Sequence, residues 1–164
     1  MDLAHSSADV EKVLVTHDQL VNRLKELAIE VENDYRGKDL LLIGVLKGAV
    51  MVMADFARAL NRHVEIDWMA VSSYGSGTKS SGVVRILKDL DRDITGRNIL
   101  IVEDIVDTGL TLAWLKSNLE SRGAKSVEIL TLLRKPEAAK VSVDVKYVGF
   151  DIPTDFVVGY GLDF

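Results

Sequence analysis

The sequence predicts an α/β fold in which a central, mainly parallel sheet is flanked by helices. Short apolar runs alternate along the chain with segments of helical periodicity, a pattern that indicates βαβ units. Two runs, at residues 39–46 and 98–103, are dominated by Leu, Ile and Val, as expected of parallel strands buried on both faces. The 164 residues contain no internal repeat or Pro-rich linker, so we expect a single domain, 1–164.

The first predicted helix begins after Thr16, because Thr16-His17-Asp18-Gln19 has the form of a capping box. Its apolar face carries Leu20, Leu24, Leu27 and Val31. The later elements are predicted in chain order as a strand at 39–46, a helix at 49–60, strands at 64–72, 83–87 and 98–103, a helix at about 110–121 closed by Gly123, a strand at 126–133 and short strands near 145–149 and 156–159.

The segment SSYGSGTKSSG, residues 72–82, interrupts this alternation. Its serines and glycines do not favour packed regular structure, and a loop of this length in a compact domain is commonly a lid or a mobile segment. Tyr74 is notable there, because an aromatic ring gains burial only when such a loop closes.

Composition excludes several classes of function. The net charge is −5, which leaves no basic stripe for neutralising many phosphates, so we expect no nucleic-acid partner. There are no cysteines, which excludes disulfides and thiolate metal sites. The amino terminus lacks the pattern of a secretory signal, and the longest apolar run, 40–46, is too short to span a bilayer. We therefore expect a cytoplasmic protein with no membrane association.

Several candidate ligand-binding residues lie in the stretch ILIVEDIVDTGLTL, residues 99–112. Glu103 and Asp104 come at the carboxyl end of a predicted buried strand, the region where open α/β sheets bind ligands. Residues 107–111 then lead into a helix whose first N–H groups can bind a phosphate. The alternatives are a solvated strand end and an ordinary helix capped by Asp107.

This stretch resembles the phosphoribosyl pyrophosphate signature of the type I phosphoribosyltransferases: an apolar strand, two acids, two apolar residues and then D-T/S-G-x-T. Four further segments resemble the members of that family that act on hypoxanthine and guanine. They are LIGVLKGA at 42–49, the loop at 72–82, LLRKPEAA at 132–139 and VGFDIPTDFVVGYGLDF at 148–164. The resemblance implies a core at about 16–145, a small hood formed by the N-terminal region and 146–164, and a mobile lid at 72–82.

The implied activity is purine salvage: hypoxanthine or guanine reacts with phosphoribosyl pyrophosphate to give IMP or GMP and pyrophosphate, with Mg²⁺ as cofactor. Relatives of this kind associate as homodimers or homotetramers. Two alternatives remain open. One is a regulator on the same scaffold that senses nucleotides or binds RNA, which the acidic charge disfavours. The other is a transferase for a different base, which the base-binding residues must decide.

The resemblance also assigns roles to residues. Asp107 would be the general base, and the Leu46–Lys47 bond would be a non-proline cis peptide. The binding groups are implied as Asp107, Thr108, Gly109, Leu110 and Thr111 for the 5′-phosphate, Glu103 and Asp104 for the ribose, Lys47 and Gly48 for pyrophosphate, Ser73 and Tyr74 for the lid, Ile105, Lys135, Phe156, Val157 and Asp163 for the purine, and Glu103, Asp104 and Asp163 for the metal. Taken singly, Lys47 would be a surface lysine, Lys135 part of a solvated turn and Phe156 a core residue.

The pattern departs from the family in three places. Leu110 and Ala49 replace a lysine and a glycine found in some relatives. The sequence also ends at Phe164, whereas relatives continue past the Gly-Leu-Asp segment to an arginine associated with pyrophosphate. Without such a tail, we expect impaired turnover.

Overall fold

The computed structural model describes residues 10–74 and 83–162. Within these ranges the regular elements are α1 (His17–Asp34), β1 (Leu41–Leu46), α2 (Val50–Ala59), β2 (Glu65–Tyr74), β3 (Val83–Lys88), β4 (Asn98–Val106), α3 (Leu110–Ser121), β5 (Ser126–Arg134), a 3₁₀ turn (Pro136–Ala138) and β6 (Tyr147–Asp151).

The six strands form one sheet in the order β3-β2-β1-β4-β5-β6. Only β3 runs antiparallel to its neighbour, and the pairs β2–β1, β1–β4, β4–β5 and β5–β6 are all parallel. The predicted α/β class with a mainly parallel sheet is therefore confirmed. Because parallel strands share a direction, the segments that follow β1, β4, β5 and β6 leave the sheet at the same edge.

Two apolar layers cover the sheet. Along β4, Leu100 and Val102 pack in the layer that contains α1 and α2, whereas Ile99 and Ile101 pack in the layer that contains α3. This is the period of two expected of a strand buried on both faces. It explains why the sequence shows an apolar run there instead of an alternation with polar residues.

The start of α1 agrees with the prediction from sequence. The N–H of Gln19 donates to the hydroxyl of Thr16 at 3.2 Å, and the N–H of Thr16 donates to Oε1 of Gln19 at 2.9 Å. Both halves of the capping box are thus formed. The predicted apolar face is buried at Leu20, Leu24, Leu27 and Val31.

Several predicted bounds shift by one or two residues, such as 39–46 to Leu41–Leu46 and 145–149 to Tyr147–Asp151, and three further differences concern the strands. The predicted strand at 156–159 is wrong: residues 156–158 form no regular element, and Gly159, Tyr160 and Gly161, which have positive φ, form a turn. Residues 72–74 belong to β2 instead of the predicted loop, since they pair with β3; the rest of that loop, 75–82, lies outside the described residues. β4 continues three residues beyond the predicted 98–103, because it still pairs with β5 there.

No helix in the described part of the chain is both long and apolar enough to cross a membrane.

Candidate active site

The candidate residues gather at the carboxyl edge of the sheet. Lys47 and Gly48 follow β1, Asp107 follows β4 and Lys135 follows β5. A cleft of about 190 Å³ opens there. It is lined by Val45, Glu103, residues 105–109, Thr111, Leu112 and Leu115. A larger, open cavity of about 380 Å³ lies elsewhere, lined in part by Arg36, Arg62 and His63.

The turn between β4 and α3 has the shape of a phosphate cradle. Gly109 occupies the N-cap position with φ +81° and makes no side-chain cap, so Asp107 is not the ordinary helix cap considered from the sequence. The N–H of Leu110 reaches the hydroxyl of Thr108 only at 3.4 Å. Helix N–H groups at this end lack intrahelical partners and suit an anion.

A neighbouring segment holds this turn in place. The carbonyl of Thr108 accepts from the N–H of Lys140 at 2.9 Å and from that of Val141 at 3.4 Å. A Cβ added to Gly109 would lie 3.1 Å from Cγ2 of Val143. Residues 140–143 therefore pack against the turn and support it. They could not be identified from the sequence, because backbone donors leave no signature in residue type.

Glu103 has an unusual environment. Its Oε1 is buried and has no hydrogen-bond partner among the described residues. Burial, together with repulsion from the adjacent carboxylate of Asp104, raises the pKa of Glu103 well above its ordinary value. A buried acceptor of this kind is costly in a structure without a ligand, which makes Glu103 a candidate to bind a cation or a hydroxyl group.

Asp104 lies against the turn that follows β1. Its Oδ1 accepts from the N–H of Ile105 at 2.7 Å, and its carboxylate fills the space where a side chain at residue 48 would project. Gly48 is thus required by close approach. The Leu46–Lys47 peptide bond is cis, as the resemblance implied, and the side chain of Lys47 is exposed.

Lys135 and Asp107 form a polar pair beside the cleft, of which Asp107 lines the cleft and Lys135 does not. Nζ of Lys135 lies 3.8 Å from Oδ2 of Asp107, and their side chains are 9% and 56% exposed. Lys135 is therefore buried and does not belong to a solvated turn. Its backbone N–H donates to the carbonyl of Val106 at 2.9 Å, which ties the end of β5 to the end of β4.

The remaining predicted residues are less closely joined to the cleft. Phe156 is 75% exposed, so it is not a core residue, whereas Val157 packs against the apolar layer of α1 and α2. Ser73 and Tyr74 end β2. Asp163 lies outside the described residues.

The donor set can be compared with what Mg²⁺ requires. Residues 10–74 and 83–162 contain no group of three or more His, Asp or Glu side chains that could hold a metal ion. Mg²⁺, however, commonly binds through one or two carboxylates and completes its shell with water and substrate phosphates. The buried, unpartnered Oε1 of Glu103 beside Asp104 fits that mode of binding.

Comparisons with known proteins agree with this arrangement. The profile of the phosphoribosyl transferase domain matches residues 12–164. The hypoxanthine-guanine phosphoribosyltransferase of Mycobacterium tuberculosis is 59% identical over 162 residues, covering 95% of this chain and 80% of that protein. The enzyme of the same name from Streptococcus agalactiae is 49% identical over 156 residues, covering 95% of this chain and 87% of that protein.

A solved structure gives the same result. The crystal structure of a hypoxanthine phosphoribosyltransferase from Staphylococcus aureus superposes with a TM-score of 0.96 at 44% identity, covering 100% of this chain and 89% of that one. The signature at 99–112, the order of the strands and these similarities agree with one another. The chain therefore belongs to the phosphoribosyltransferase family, in its hypoxanthine-guanine phosphoribosyltransferase branch.

Proposed function

We propose that this chain transfers the phosphoribosyl group of phosphoribosyl pyrophosphate to hypoxanthine or guanine, which gives IMP or GMP and pyrophosphate. The observation that carries the proposal is the pair formed by Lys135 and Asp107, a buried cation 3.8 Å from an exposed carboxylate at the mouth of the phosphate cradle. The names of the relatives point to the same substrates.

The pair matches the edge of a 6-oxopurine. Such a base presents O6 and N7 next to each other, so Lys135 can donate to O6 while Asp107 accepts the proton carried by N7. Adenine has an amino group in place of O6, and a buried ammonium facing an amino group would be left unpaired. The pair therefore favours hypoxanthine and guanine over adenine. Phe156 offers an exposed ring for stacking on the base, with Val157 and Ile105 beside it.

In the reaction, N9 of the base forms a bond to C1′ of the ribose as the bond from C1′ to the pyrophosphate oxygen breaks. The base loses a proton, which Asp107 takes at its carboxylate as general base. Residues 107–111 hold the 5′-phosphate at the amino end of α3. Lys47 and Gly48 bind the departing pyrophosphate.

The two acids of β4 stabilise the ribose. Positive charge develops on the sugar as pyrophosphate departs, and Glu103 and Asp104 interact with the ribose hydroxyls and the developing charge. These residues, with Asp163, would also hold Mg²⁺, which neutralises charge on the leaving group. Ser73 and Tyr74 would exclude water from the reacting carbon. We further propose a cytoplasmic homodimer or homotetramer.

The proposal is tested by incubating the purified chain with phosphoribosyl pyrophosphate and each of hypoxanthine, guanine, xanthine and adenine, with Mg²⁺ or with a chelator. Nucleotide formation is followed by absorbance and the product is identified by chromatography. We expect IMP and GMP with Mg²⁺ and no AMP. AMP as the main product, or no product from any base, would contradict the proposal.

A further inference from the structure

The segment after Phe156 ends in a tight left-handed turn. Gly159, Tyr160 and Gly161 have φ of +97°, +55° and +83°, and the N–H of Leu162 donates to the carbonyl of Gly159 at 3.0 Å. A positive φ is common for glycine but rare for a bulky residue such as tyrosine. The contacts of the Tyr160 side chain must therefore hold the turn in this conformation.

Those contacts are with α2. The hydroxyl of Tyr160 donates to Oδ2 of Asp55 and lies 3.4 Å from the carbonyl of Met51. The hydrogen bond from Tyr160, followed by that from Arg58, lowers the pKa of Asp55. The bond therefore joins a phenol to an ionised carboxylate, and charge-assisted bonds of this type are stronger than neutral ones.

The same turn rests on the segment proposed to bind pyrophosphate. A Cβ added to Gly161 would lie 3.1 Å from Cγ of Met51 and 3.5 Å from the carbonyl oxygen of Gly48. Gly48 in turn packs against the carboxylate of Asp104. The 159–162 turn therefore lies next to Gly48, and Gly48 lies next to the carboxylate of Asp104.

The position of Phe156 also depends on the bond from Tyr160 to Asp55, because Phe156 precedes Tyr160 by four residues. Its ring is 75% exposed, so neighbouring side chains do little to fix its position. The backbone around Phe156 is fixed before it by Ile152, which is buried and whose N–H donates to the carbonyl of Arg134 at 2.8 Å. After Phe156 it is fixed by Val157 and Tyr160, which pack against the core.

We propose that Tyr160 is a positioning residue whose bond to Asp55 fixes the pyrophosphate-binding turn and the stacking residue Phe156 relative to each other. The proposal rests on the proposed function for the roles of Gly48 and Phe156. Tyr160 itself contacts α2 and acts on substrate only through these neighbours. Its loss should therefore weaken the binding of both substrates while the chemistry of bound substrate continues.

The test compares the wild-type chain with Tyr160→Phe, which keeps the ring and removes only the hydroxyl. We expect KM to rise about 10-fold for both the purine and phosphoribosyl pyrophosphate, the size expected for the loss of a hydrogen bond to a charged group, with kcat within about twofold. Asp55→Asn should have a similar effect. The double variant should be no worse than either single one, because both remove the same bond.

Tyr147→Phe is the matched control. The hydroxyl of Tyr147 donates to Oδ2 of Asp34 at 2.5 Å, so the chemistry lost is the same, but this pair lies where β6 begins, at the opposite edge of the sheet from the cleft. We expect Tyr147→Phe to lower Tm while leaving both KM values unchanged. An unchanged KM in Tyr160→Phe, or an equal rise in Tyr147→Phe, would overturn the proposal.

Hydrogen exchange separates this proposal from the proposed function. Tyr160→Phe should speed amide exchange at residues 47–51 and 156–162, whereas Tyr147→Phe should not. This result does not require turnover, so it tests the link even if the wild-type chain makes no nucleotide. Unchanged exchange at 47–51 in Tyr160→Phe would refute the positioning role by itself.

Discussion

Gly48→Ala tests the close approach between the turn proposed to bind pyrophosphate and Asp104 of β4. The added Cβ would lie 2.9 Å from Cγ of Asp104 and closer still to its Oδ2, whereas Cβ contacts below 3.0 Å are essentially never seen. Because Gly48 sits in a turn fixed on both sides by β1 and α2, we expect the carboxylate to withdraw by on the order of 1 Å. A misplacement of that size at a reacting centre costs about 10²-fold in rate.

The assay measures kcat and KM for phosphoribosyl pyrophosphate in Gly48→Ala. We expect kcat/KM to fall about 10²-fold while the far-ultraviolet circular dichroism stays that of the folded chain. Gly44→Ala is the control, because its Cβ would overlap the ring of Trp68, which packs against the core, and the atoms nearest to it belong to Trp68 and Met53, which are not candidate site residues. That variant should lose about 1–3 kcal/mol of stability through overpacking with KM unchanged. A wild-type kcat/KM in Gly48→Ala would refute the argument.

Three further predictions concern single side chains. If Asp107 is the general base, as proposed, Asp107→Asn should lower kcat by about 10²–10⁴-fold while calorimetric affinity for IMP stays within a few-fold. Lost binding with normal turnover of bound substrate would contradict this role. Lys135→Met should lower kcat/KM for hypoxanthine at least ~10²-fold and reduce discrimination against adenine, as measured with both bases. Unchanged discrimination would exclude Lys135 as the donor that recognises O6. Hydrogen bonds from Arg97 and Asn98 lower the pKa of Asp39, so this carboxylate stabilises the fold above its ordinary pKa of 3.8 and the contribution is lost as pH falls through the lowered value. Asp39→Asn should therefore unfold at a lower temperature than wild type at pH 7, with the difference closing in acid; a difference that persists at pH 2 would contradict this cause.

The elements of the fold that could be predicted are those determined by residues close together in the sequence. The capping box at Thr16 and the apolar run of β4 are set by neighbouring residues, and both agree with the structure. The predicted strand at 156–159 failed because Val157 and Tyr160 are held by distant partners. Three consecutive positive φ angles at 159–161 then exclude a strand. The sequence contains the two glycines of this turn, but an apolar run with aromatic residues also suits a strand.

The candidate site could be predicted where the proposed chemistry depends on residue type. Glu103, Asp104 and Asp107 were candidates because only Asp and Glu side chains supply a carboxylate, and the structure places all three at or just after the end of β4. The structure adds what each acid faces: Glu103 lines the cleft, whereas Asp104 packs on Gly48. These environments arise from contacts between β4 and a turn more than fifty residues away, which no local pattern encodes.

The most direct test of the account is a crystal structure of this chain with IMP. We predict that O6 of the base lies within about 2.7–3.2 Å of Nζ of Lys135, the range of a hydrogen bond, with the ring stacked on Phe156 and the 5′-phosphate bound by the N–H groups of residues 108–111. IMP bound instead in the larger cavity beside Arg36 and Arg62, or bound at the cleft with O6 facing away from Lys135, would contradict it.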